Sequence, residues 1–99
     1  MTEGIRNLCM LEVITEFAES ISKKAQYEFR FAEQKAILDV SAYRKYCTKL
    51  LSNNGLSPES DIKEIEEFMQ EAIFNILNLT GVPVSGMRWL GTDKVWLIR

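Results

Sequence analysis

Met87-Arg88-Trp89-Leu90-Gly91-Thr92-Asp93-Lys94-Val95-Trp96-Leu97-Ile98 sets two apolar-rich runs around Gly-Thr-Asp, which is the pattern of a β-hairpin. A three-residue loop pairs Leu90 with Lys94, Trp89 with Val95, Arg88 with Trp96 and Met87 with Leu97. Met87, Trp89, Val95 and Leu97 then share one face, and Arg88, Leu90, Lys94 and Trp96 share the other. A lone hairpin is marginal in water, so its more apolar face must pack on the rest of the chain. Everything before it reads as helix. The predicted fold is therefore mainly α, α+β at the margin: two to three antiparallel helices with a C-terminal hairpin, about 86–98, packed on them.

Gly and Pro punctuate the helices. Gly81 and Pro83 close a helix predicted over 58–79, which Ser57 caps and Pro58 opens. Its core stripe is Ile62, Ile65, Met69, Ala72, Ile73 and Ile76, with acids on the other side. Phe74 and Leu77 lie on that acidic side and need a cover. Asn53-Asn54-Gly55 stops the segment before it. No Gly or Pro falls between Ile5 and Asn54. Within that stretch Met10, Ile14, Phe17 and Ile21, widened by Leu11, Val13 and Ala18, predict a helix over 3–22. Ala25, Phe29, Ala32, Ala36, Val40, Tyr43, Cys47 and Leu50 predict a second over 25–52, with a break near Ser22-Lys23-Lys24 or an elongated continuous helix as the alternatives. Tyr27-Glu28-Phe29-Arg30-Phe31 also alternates with period two, so a short strand there competes with the helix.

The chain of 99 residues is 46% apolar and 26% charged, the balance of one ordinary globular domain rather than a disordered or disulfide-stapled chain. The formal charge of −2 supplies no global attraction to nucleic acid or anionic lipid. No signal-like segment or membrane span is evident, and two cysteines 38 residues apart form no paired motif. These features predict a cytoplasmic protein with reduced thiols, making no membrane contact.

Chemistry is constrained by what is missing. Without a single His, the commonest general base and metal ligand is absent, which excludes a His-dependent triad and a His-containing zinc site. The five glycines are scattered and form no phosphate loop. Glu64, Glu67 and Glu71 have a metal-compatible spacing but read as the solvated face of an amphipathic helix. The expectation is no catalytic residue, no metal and no cofactor.

Charge is segregated. Residues 23–49 hold seven bases and three acids, whereas 59–71 hold six acids and one base. Lys23, Lys24, Arg30, Arg44, Lys45 and Lys49 form the candidate site for an anion, either nucleotide or nucleic acid, with pairing between the two segments as the competing explanation. A winged-helix arrangement is disfavoured, because the helix before the wing would carry the acids. Tyr27, Phe31 and Leu38 on a second apolar row, with Phe74 and Leu77, are surplus to one core and predict self-association as a homo-oligomer. Arg88, Leu90 and Trp96 on the hairpin's outer face predict the anchor for another protein, since Trp and Arg dominate binding hot spots. The function expected is a small non-enzymatic protein–protein interaction module, acting as regulator, inhibitor or adaptor. The alternative is a nucleotide- or nucleic-acid-binding protein using the basic 23–49 segment.

Overall fold

The computed structural model describes residues 2–32 and 34–99. Glu33, one of the three acids of the basic segment, lies outside them. The order is α1 (Glu3–Phe31), β1 (Lys35–Asp39), α2 (Ser41–Asn53), α3 (Ile62–Leu79), β2 (Gly86–Leu90) and β3 (Lys94–Ile98). The fold is mainly α, with three helices laid on one face of a three-stranded antiparallel sheet of order β1-β3-β2. The hairpin pairs as its sequence dictates: Leu90 with Lys94, Trp89 with Val95, Arg88 with Trp96 and Met87 with Leu97. Gly91 opens its loop at φ 74°, a conformation in which a Cβ would be strained.

The helix predicted over 25–52 is divided. α1 continues past Ser22-Lys23-Lys24, because Ile21, Ala25 and Phe29 recur at four-residue spacing and are all buried. It ends at Phe31, where the Ala32 N–H donates to the Glu28 carbonyl. The chain then turns, with the Lys35 N–H donating to the Ala32 carbonyl at 2.8 Å. Ala36 and Val40 satisfy a helical spacing of four, but with Leu38 they also satisfy a strand's spacing of two, and here they are buried in alternation. The β3 edge decides between the two readings. β1 pairs along it from Lys35↔Ile98 to Asp39↔Lys94, so the third strand turns a marginal hairpin into a sheet. The strand that competed at Tyr27–Phe31 does not form; those residues are the end of α1.

α2 begins where Asp39 accepts hydrogen bonds from the Ser41 N–H at 2.9 Å and the Ser41 hydroxyl at 2.7 Å. It ends at the predicted stop, with Gly55 at φ 101°. α3 starts one turn later than the Ser57-Pro58 signal implies: residues 58–60 form a turn, and the Asp61 N–H donates to the Ser57 carbonyl. The core joins the three helices to the sheet's inner residues, Ala36, Leu38, Val95 and Leu97. At its centre the Tyr43 hydroxyl donates to the Met69 carbonyl at 2.9 Å, tying α2 to α3. Leu11, counted in the α1 stripe, and Ile62, counted in the α3 stripe, face solvent instead.

Candidate interaction face of the sheet

Strand alternation sends one set of side chains into the helices and the other away from them. The outward set forms three rows across the sheet: Lys35–Ile98–Gly86, Ile37–Trp96–Arg88 and Asp39–Lys94–Leu90. Trp96 lies in the middle row on the central strand. Ile37, Leu90 and Ile98 flank it and are exposed, Ile37 to 50%. Arg88, Lys35 and Lys94 surround these apolar side chains with positive charge, and Asp39 is the acid among them. The three residues predicted to anchor a partner, Arg88, Leu90 and Trp96, are thus brought together. Ile37, Ile98 and Lys35 complete the face. Sequence reasoning misses Lys35 and Ile37 because β1 reads locally as helix; the alternation from Ala36 to Val40 is the available signal.

The cation against Trp96 comes from Lys35, whose Nζ lies 4.6 Å from the ring centroid. Although they stand on opposite faces, both tryptophans are half-buried, and the Nε1 of each is enclosed without a hydrogen-bond partner among the described residues. Trp89 stands on the inner face under the Arg44 guanidinium, 5.1 Å from its ring centroid. Arg44 Nε donates to the Thr92 carbonyl in the hairpin loop. Its Nη2 lies 3.4 Å from Glu66 Oε1, close enough for an ion pair but without hydrogen-bond geometry.

The candidate anion-binding residues do not converge. Arg44 is enclosed and engaged by Glu66. Lys23 pairs with Glu19 on α1 at 2.7 Å. Lys24 and Lys23 line a groove of about 570 Å³ between α1 and β1, together with Tyr27, Glu28, Ile37 and Asp39. Arg30 lines a separate depression with Arg99 and Pro83, and Lys45 and Lys49 are exposed on α2. Pairing between the basic and acidic segments accounts for the Arg44–Glu66 contact. Arg6, which lies outside the basic segment, engages Glu71 of α3.

The five residues predicted for self-association also part company. Leu38 is 2% exposed and Leu77 1%, so both belong to the core rather than to a second surface. Leu38 is turned inward by the period of β1. Leu77 is covered by the chain after α3, which folds back so that the Val82 N–H donates to the Leu77 carbonyl at 2.9 Å. Tyr27 and Phe31 remain on the surface, edge to face at 4.9 Å, and Phe74 is exposed elsewhere on α3.

Burial shapes the titratable groups of the core. It pushes the Cys47 thiol up to about 12, and it also raises the Tyr43 phenol and the Cys9 thiol, the last with help from Glu12. On the sheet face, the Ser41 N–H and hydroxyl hold the Asp39 carboxyl below its ordinary value, with Lys24 and Lys94 adding attraction. Among the described residues no three His, Cys, Asp or Glu side chains gather closely enough to hold a metal ion, and no helix is long and apolar enough to cross a membrane. No protein-family model, curated protein or solved structure matches the chain.

Proposed function

We propose that this chain is a non-enzymatic protein-interaction module, a regulator, inhibitor or adaptor, that holds another protein on the outward face of its sheet. One observation carries the reading: Ile37, Leu90 and Ile98 are exposed around the half-buried Trp96 and stand beside Arg88 on the sheet face turned away from the core. An apolar centre with a charged rim is the anatomy of a protein interface, and an aromatic–Arg pair is the composition of its hot spots. The basic groups used by the alternative reading are scattered over α1 and α2, and one of them is spent on Glu66.

A photo-crosslinker placed at position 90 is expected to capture a discrete partner, and the same group at Leu8 on α1 to capture none. Trp96→Ala should abolish capture while leaving the melting transition in place. Capture of nucleic acid instead, weakening steeply with salt, would move the function to the alternative. Equal capture from both positions would remove the sheet face from consideration.

A further inference from the structure

The sheet has two open edges, and they are not alike. The Arg99 N–H donates to the Gln34 carbonyl at 2.9 Å and the Val40 N–H to the Asp93 carbonyl at 2.7 Å. Ladder alternation therefore assigns the even-numbered residues of β1 to β3 and turns the main-chain groups of Lys35, Ile37 and Asp39 to the free edge. The Lys35 N–H is taken by the turn. Among the described residues, no side chain or loop bonds the Ile37 N–H or carbonyl. A groove of about 570 Å³ runs along this edge, with Ile37, Leu38 and Asp39 on one wall and Lys23, Lys24, Tyr27 and Glu28 of α1 on the other.

We infer that β1 pairs with β1 of a second copy across a two-fold axis at Ile37, joining two three-stranded sheets into one of six strands. The strand Lys35-Ala36-Ile37-Leu38-Asp39 is complementary to itself when antiparallel. Ile37 meets the partner's Ile37, and Lys35 meets the partner's Asp39 twice over, all on the outward face. The groups turned to the edge fit this register. The two Ile37 residues exchange both main-chain hydrogen bonds, and each Asp39 N–H reaches the carbonyl of the partner's Lys35. Sliding by two residues sets a charged side chain against Ile37 and loses both ion pairs. Opposite charges across an antiparallel pair stabilise it and like charges destabilise it. The β2 edge has the reverse property. Paired with itself about its central residue it would set Arg88 against the partner's Arg88, a charge that blocks edge-to-edge association.

Five residues of edge pairing form a small interface, so the dimer is concentration-dependent rather than obligate. With Leu38 and Leu77 in the core, the surface assigned to self-association is an edge, not a helix row. The inference is independent of whether the outward face binds a partner.

Charge reversal tests it. Sedimentation of the unaltered chain should show a monomer–dimer equilibrium. Lys35→Glu and Asp39→Lys should each weaken it by at least about tenfold, since two pairs turn repulsive. An equal mixture of the two variants should restore the dimer. In the mixed pair the introduced acid faces the introduced base, and the remaining Asp39 of one chain faces the remaining Lys35 of the other. A monomer up to about 1 mM, or a dimer indifferent to both substitutions, would overturn the inference, as would folded variants that fail to complement. Asp39 also anchors α2, so its variant has a reason to unfold. The unaltered chain then decides by hydrogen exchange: the Ile37 and Asp39 amides should gain protection as concentration rises. A doubling of mass without that protection counts against the pairing.

Discussion

The two faces of the sheet are made by alternate residues of the same three short strands, yet they obey different rules. On the inner face Ala36, Leu38, Val95 and Leu97 are sealed against the helices. On the outer face Ile37, Leu90 and Ile98, equally apolar, stay in contact with water. Hydrophobicity therefore does not separate the two sets; position does. A residue's share of the stability depends on the area it removes from water, so the inner set holds the fold and the outer set is free to meet another molecule. The neighbours Leu97 and Ile98 put this to its hardest test. Leu97→Ala should cost about 2–5 kcal/mol by chemical denaturation, the range for a sealed aliphatic side chain. Ile98→Ala should stay within about 0.5 kcal/mol. Equal losses would mean that the outer face is covered in solution and that the contrast between the faces is false.

The tryptophans sharpen the same contrast at smaller amplitude. Trp89 belongs to the inner face and carries Arg44, which in turn holds the hairpin loop at Thr92 and α3 at Glu66. Removing the indole frees that guanidinium as well as leaving a gap. Trp89→Ala should cost about 2 kcal/mol, below the figure for a fully sealed ring because this one is half-buried. Trp96→Ala also removes a half-buried ring, with its Lys35 contact worth about 0.5–1 kcal/mol, but leaves no enclosed guanidinium behind, so its cost should be the smaller. Thermal melts of the two variants side by side check the ranking. A reversed order would place Trp96, not Trp89, among the residues that hold the fold.

Legibility in the sequence differs by region for physical reasons. The hairpin register can be read because loop length and alternation fix it locally, from Leu90↔Lys94 to Met87↔Leu97. α3 can be read because Ile65, Met69, Ile73 and Ile76 keep one period along the helix. β1 cannot. Ala36 and Val40 fit two periods, no Gly or Pro marks the turn before Lys35, and its partner strand is more than fifty residues away. Long-range pairing overrides local pattern, as strands allow more readily than helices. The same ambiguity hides half of the candidate site. Arg88, Leu90 and Trp96 are visible from the hairpin alone, but Ile37 and Lys35 join them only once β1 is known to be a strand.

One outward residue breaks the division between the faces. Asp39 is exposed, yet its carboxylate accepts from the Ser41 N–H and hydroxyl and so fixes the start of α2. Those hydrogen bonds first, and the nearby Lys24 and Lys94 after them, hold its carboxyl below the ordinary value. A depressed carboxyl contributes stability that is fully present above its unfolded value, near about 4, and is lost as pH falls through its folded value. Asp39→Asn separates the two causes, because the amide oxygen still accepts from Ser41 while the charge is gone. The variant should melt slightly below the unaltered chain at pH 7. The gap should begin to close as pH drops below about 4 and be gone once pH falls below the depressed folded value, where Asp39 itself is neutral. A gap that persists unchanged to pH 2 would show that the geometry of the Ser41 bonds, rather than charge, is what Asp39 contributes. It would also return the outer face to a surface whose charges serve only its partners.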